Sequence, residues 1–303
     1  MGGRRVGRFV AAALTLAVLA YAQTPTFRAD VKLVRLIVTV KDAAGSLVSN
    51  VTKDDFTVLD NGVQQEVAVF ERDTDLPLSV SILIDASGST WTQFANEEQD
   101  VLRFVHAVIA ERNPRNTVAL YSFNEQVTLL SSFTRNMTRL EHGLHGLKAG
   151  GTTSLYDAIW LVSKDLEGRE GRHIIVVVSD GEDVGSVRDF HEAVDAAQLA
   201  DATIYPVVII PFKSDVLRLI GGEHALTTMA LRTGGRVFPS TTGAELEAAF
   251  TDLLRELRTQ YLVGYYPKNV PPTTNRFHTT TVKLARPGLR AITRSGYYGT
   301  TDR

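Results

Sequence analysis

The sequence predicts an α/β protein: a doubly wound, mostly parallel sheet, with a small β-sandwich-like domain formed by the N- and C-terminal flanks. Three observations predict it. Short apolar runs alternate with stretches of helical period across residues 76–258. His173-Ile174-Ile175-Val176-Val177-Val178 is an almost unbroken apolar run, the pattern of a strand covered on both faces of a parallel sheet. The flanks, residues 30–72 and 260–300, carry strand patterns and turn signals without helical period.

In the first flank, Val31 to Val40 is a strand rich in Val, Leu and Ile, and Asp42-Ala43-Ala44-Gly45 is a turn. Phe56 to Leu59 and Gln65 to Phe70 are further strands, joined by a hairpin at Asp60-Asn61-Gly62 because Asn-Gly tolerates positive φ. In the central segment Leu78 to Ile84 is a strand, followed by a helix over Trp91 to Arg112 with Phe94, Val101, Phe104, Val105 and Val108 on one face. Val118 to Phe123 and Val127 to Leu130 form a strand pair, and Leu155 to Leu166 is a helix. After the His173–Val178 strand come a helix at Phe190 to Ala200 and a strand at Ile204 to Ile210. An amphipathic helix at Ala244 to Tyr261 follows, with Leu246, Phe250, Leu253, Leu254 and Leu257 on its apolar stripe. The last flank has strands at Tyr261 to Tyr266, His278 to Leu284 and Leu289 to Thr293. Neither flank has enough strands for a core of its own, so the two are expected to pack together.

Residues 1–22 differ from the rest. Arg4, Arg5 and Arg8 precede an apolar run from Phe9 to Leu19, and Ala20-Tyr21-Ala22 offers the small residues of a cleavage site. This is the pattern of a secretory signal peptide cut after Ala22, with export to the periplasm or the exterior. A retained anchor is the alternative, although the run is short for a span of roughly 20 residues. No later stretch is long and apolar enough to span a bilayer, so no stable membrane span is expected after cleavage. The net charge of −2 leaves no basic surplus for a phosphate backbone, which argues against nucleic acid as a partner. The absence of cysteine excludes disulfides and cysteine-bound zinc.

Three polar segments fall at strand ends, where open α/β sheets bind ligands. They are Asp85-Ala86-Ser87-Gly88-Ser89, Gly150-Gly151-Thr152-Thr153 and Ser179-Asp180-Gly181-Glu182. In the first, oxygen-bearing side chains recur at a spacing of two and point to one side of an extended segment, while Ala86 and Gly88 let the loop turn tightly. Thr152 adds a hydroxyl and Asp180 a second carboxylate. All are hard oxygen donors, which suit Mg²⁺, Mn²⁺ or Ca²⁺ rather than zinc or copper. Two carboxylates with neutral hydroxyls would leave the ion electrophilic toward an external carboxylate. Helix capping by Ser89, Thr152 and Asp180 is the competing reading.

With these residues in place, the chain resembles the von Willebrand factor A (VWA) family, a Rossmann-like fold with a metal ion-dependent adhesion site (MIDAS). That site has the pattern Asp-x-Ser-x-Ser, then a distant Thr and a distant Asp. Asp85, Ser87, Ser89, Thr152 and Asp180 match it in order, in apolar-strand, Gly-Gly and Asp-Gly contexts. The resemblance implies a metal-dependent protein-binding or adhesion module, not an enzyme, whose partner offers an acidic side chain. Val51-Thr52-Lys53-Asp54-Asp55-Phe56 and Gln260-Tyr261-Leu262-Val263-Gly264-Tyr265 further resemble exported bacterial VWFA-related proteins of the acidobacterial type.

Two other functions compete. One is a structural subunit of an envelope complex with a vestigial metal site. The other is a metal-dependent hydrolase, although no Gly-x-Ser-x-Gly elbow, His-Glu-x-x-His or phosphate loop is present. Glu182 and Asp183 read as solvated loop acids, Asp157 as a first-turn helix acid. His142 and His145 lack a third ligand nearby in sequence.

Overall fold

The structure is a computed structural model and describes residues 33–72, 76–88, 98–111, 113–147, 150–209, 216–240, 243–271 and 273–299. The expected signal peptide lies outside the described residues, as do Ser89 and the first part of the Trp91–Arg112 helix.

A six-stranded sheet lies at the centre. Its strands are β5 (Leu78–Asp85), β6 (Thr117–Phe123), β7 (Val127–Thr134), β8 (Arg172–Ser179), β9 (Ala202–Ile209) and β10 (Phe238–Ser240), in the order β10-β9-β8-β5-β6-β7. All neighbours are parallel except β7, which runs antiparallel to β6 at one edge. Every residue of β5 and β8 is buried, as expected for strands covered by helices on both sides.

The strand pleat divides these residues between two cores. Val80, Ile82, Ile84, Ile174, Val176 and Val178 face one core, with α1 (Glu98–Ile109), α2 (Met137–His145) and α6 (Gly243–Arg258). Leu83, Ile175 and Val177 face the other, with α3 (Leu155–Leu166), α4 (Phe190–Leu199) and α5 (Val216–Thr233). Fully burying each such aliphatic side chain stabilises by about 1.5–3 kcal/mol. Three elements lacked a clear sequence signal. Helix α2 is short, α5 is interrupted by Gly221-Gly222, and β10 pairs over three residues only.

The flanks interleave. One four-stranded sheet has the order β13-β1-β11-β4, combining β1 (Val34–Lys41) and β4 (Val67–Arg72) with β11 (Tyr261–Tyr265) and β13 (Arg290–Ile292). A second has the order β14-β12-β2-β3, combining β2 (Phe56–Asp60) and β3 (Val63–Gln65) with β12 (Phe277–Leu284) and β14 (Gly296–Tyr298). The two share one core that includes Leu36, Val38, Val58, Tyr261, Val263 and Tyr265. Between β2 and β3, Asn61 and Gly62 take φ of 46° and 80°, the turn the Asn-Gly pair requires. A single-turn 3₁₀ helix at Lys53–Asp55, closed by a Thr52–Asp55 capping box, is too short to leave a periodic signal.

Residues 33–303 form one compact unit. Gln260 ties the flanks to the central layer by donating to Thr39 Oγ1 (2.8 Å) and to Tyr205 Oη (2.9 Å). Lys41 pairs with Glu256 of α6 at 3.2 Å. No helix among the described residues is long and apolar enough to cross a membrane.

Candidate functional site

Parallel strands β5 and β8 end together, so their following loops meet at one edge of the sheet. Asp85 is the last residue of β5 and is 1% exposed; Ser87 is 3% and Asp180 6% exposed, while Thr152 is exposed at the surface. The Asp85 carboxylate is held at both oxygens. Ser87 N–H donates to Oδ1 (2.9 Å) and Ser179 Oγ donates to Oδ2 (2.6 Å). Ser179 Oγ in turn accepts from Gly181 N–H (3.0 Å). Burial pushes the Asp85 carboxyl above its ordinary value. The bonds from Ser179 and Ser87 oppose this, and the nearby Asp180 charge adds to it.

Backbone hydrogen bonds stitch the three loops together. Gly150 N–H donates to Ala86 O (2.9 Å), joining the second loop to the first. Val184 and Gly185 N–H both donate to Thr153 O (2.9 Å each), joining the third to the second. Gly185 sits directly against the Thr152 hydroxyl: a Cβ there would lie 2.8 Å from Thr152 Oγ1 and 2.9 Å from Ser154 Oγ. The Asp180–Gly181 turn is packed just as closely by α5, where a Cβ on Gly181 would lie 2.7 Å from the backbone of Gly222.

A second layer of hydrogen bonds fixes the third loop. Asp183 Oδ1 accepts from Tyr156 N–H (3.1 Å) and from Ser186 Oγ (2.6 Å), and Ser186 Oγ accepts from Asp157 N–H (3.1 Å). Asp157 accepts from Val187 and Arg188 N–H, at 2.9 Å each. Asp183 is therefore a capping acid for the first turn of α3, where Ser154 makes no side-chain cap, and not a solvated loop acid. Asp157 is a loop clamp as well as a first-turn acid.

The helix-cap alternative fails for two residues. Helix α3 begins at Leu155 with Ser154 at its N-cap, so Thr152 lies outside it. Helix α4 has its own cap, Asp189, nine residues beyond Asp180. Asp180 Oδ1 instead accepts from Glu182 N–H (3.1 Å) within its loop. The structure thus brings the loops of Asp85, Ser87, Thr152 and Asp180 together, and Ser89 lies outside the described residues. Ser179, Thr153 and Gly185 escaped sequence reasoning. Only their adjacency to the motif residues signalled them, since a backbone carbonyl and a missing Cβ leave no chemical pattern. His145 bonds to Glu141 O through Nδ1 (2.7 Å) within its own helix.

As a donor set the cluster fits a hard divalent cation. It offers two buried carboxylates and side-chain hydroxyls, and no sulfur or imidazole. Among the described residues no three or more His, Cys, Asp and Glu gather as a metal-binding group.

A doubly wound sheet with polar loops clustered at the carboxyl ends of its strands defines the class of ligand-binding α/β domains. The family model of the von Willebrand factor type A domain matches residues 80–182 of the chain. The match is to the domain family and not to any narrower exported group. No curated protein matches the chain in sequence.

Among solved structures the chain is similar to the vWF domain of the type V pili tip protein Mfa5 from Porphyromonas gingivalis. Identity there is 14%, over 59% of this chain and 94% of that one, with a TM-score of 0.49. It is also similar to the PilB minor pilin from Streptococcus sanguinis (13% identity, 61% and 62% covered, TM-score 0.46). A third similar structure is proximal thread matrix protein 1 from the mussel byssus with a zinc-occupied MIDAS motif (16% identity, 62% and 49% covered, TM-score 0.48). The chain spans less than two thirds of the length of the latter two.

Proposed function

We propose that the protein is an exported, non-enzymatic binding module that holds a divalent cation, Mg²⁺ or alternatively Mn²⁺ or Ca²⁺, and grips an acidic side chain of a protein partner through it. Asp85, Ser87, Ser89, Thr152 and Asp180 would hold the ion, which would supply a Lewis-acidic position for the partner's carboxylate. One observation carries the reading: the Asp85 carboxylate is buried at a strand end, fixed at both oxygens, with Asp180 close enough to repel it. Burying two carboxylates side by side is costly unless a cation compensates them. The residues of this chain pre-set the geometry. Ser179 and the Ser87 amide orient Asp85, and the Gly150–Ala86 and Thr153–Gly185 bonds tie the loop of Thr152 to its two neighbours.

The test is calorimetric titration of Mg²⁺ and Mn²⁺ into the full chain, beside a Ser87→Ala, Ser89→Ala double variant. The expected result is saturable one-site binding that disappears in the variant and under chelator. A folded wild-type protein that takes up neither ion would reject the reading.

A further inference from the structure

At the opposite edge of the six-stranded sheet, where β8 begins, a cavity of about 50 Å³ opens between the flank sheets and the central layer. Its charged lining is unbalanced. Arg35 comes from β1, Arg172 and His173 from β8, and Arg294 from the segment before β14, while Asp201 is the acid among the described lining residues.

Arg172 and Arg294 are both incompletely satisfied. Arg172, 6% exposed, donates through one terminal nitrogen to Leu257 O (2.9 Å) and through the other to Gln260 Oε1, both neutral acceptors. Its Nε–H is buried without an acceptor. Arg294 pairs with Asp201 and donates to Arg35 O (3.0 Å), and its Nε–H is likewise buried without an acceptor. Both ring nitrogens of His173 face carbonyl oxygens, Ala200 O at 2.5 Å and Arg169 O at 3.0 Å. Burial pulls the Arg172 guanidinium down to about 10, the cost of burying a cation.

We propose that this cavity binds a small oxyanion of the phosphate or sulfate class, which bridges the flank sheets to the central layer. Among the described lining residues three guanidinium groups face one carboxylate, an excess of positive charge that a divalent oxyanion neutralises. The arginine fork donates in parallel to two oxygens of such an ion, a charge-assisted geometry that a single water does not replace. At about 50 Å³ the cavity has room for a small ion. Arg35 and Arg294 belong to the flanks and Arg172 to the sheet, so the bound ion joins segments far apart in the chain. Nothing in this site uses the carboxylate loops at the other edge of the sheet.

The experiment is titration of inorganic phosphate into the full chain by calorimetry and thermal shift, with EDTA present and ionic strength held constant with NaCl. Parallel titrations use sulfate and acetate. The expected result is one saturable site for phosphate and sulfate with a rise in Tm, and no site for acetate. Binding weakens about tenfold in Arg35→Gln, which removes one surface cation, and is lost in Arg294→Gln. Asp85→Asn leaves it unchanged. Arg35 is exposed, so its variant keeps the test valid if Arg294→Gln fails to fold. A folded wild-type chain with no phosphate-dependent heat or Tm change overturns the proposal. So does undiminished binding in Arg35→Gln, or saturation by acetate alone.

Discussion

The two ends of β8 make opposite sites. The strand begins at Arg172 and His173, among cations, and ends at Ser179 beside Asp85 and Asp180, among carboxylates. The cationic end is closed by the protein's own chain: Gln260 at the end of α6 bonds to Thr39 of β1, and Glu256 is shared by Lys41 and Arg236. Among the described residues the acidic end is covered by loops tied to each other and by α5, where Gly222 packs against Gly181. The comparison teaches that the flanks are built onto one edge of the sheet, while the other edge is held by its own loops and α5.

The largest effect is expected at the closed end. Glu256 is fully buried and pairs with Arg236 at 2.6 Å and Lys41 at 3.2 Å. Glu256→Gln leaves two cations uncompensated and should cost about 3 kcal/mol in urea unfolding. Mg²⁺ uptake at the other edge should be unchanged. A loss of Mg²⁺ binding equal to the loss of stability would show that the two ends are not independent.

Next comes Gly222→Ala, whose Cβ would lie 2.6 Å from the Gly181 backbone. Overpacking should cost about 2 kcal/mol. Because the displaced residue follows Asp180, metal affinity should fall by more than stability alone explains, read by titration at a temperature where the variant is fully folded.

Asp157→Ala removes the acceptor of the Val187 and Arg188 amides. A cost of about 1–2 kcal/mol is expected, with faster amide exchange confined to residues 184–188. Exchange that spreads through β8 would show that the loop is part of the core unit.

The smallest effect lies in the flank. The Thr52 backbone amide and the Arg286 side chain hold the Asp55 carboxyl below its usual range. A depressed folded value means that its contribution is present above the ordinary carboxylate pKa and is lost as pH falls through the folded one. Arg286→Gln should lower neutral-pH stability slightly and flatten the acid limb by the same amount, leaving stability below the folded pKa unchanged. An unchanged acid limb would remove Arg286 as a cause.

Periodicity and residue type determined much by themselves. Asp85 and Asp180 were legible because they directly follow apolar runs, and a strand end is a local property of sequence. The hairpin at Asn61-Gly62 was legible because its backbone geometry is nearly specific to those residues. Tertiary structure alone decided what depends on neighbours remote in the chain. Ser179 became a partner of Asp85 only because β8 lies beside β5. Asp183 became a cap for α3, and Gly222 a spacer against Gly181, because loops and helices meet across the sheet. The cation-rich cavity had no signature at all, since Arg35, Arg172 and Arg294 are far apart in sequence and ordinary one by one. Their charge acquires meaning only when folding gathers them around one cavity, with Asp201 the acid among its described lining residues.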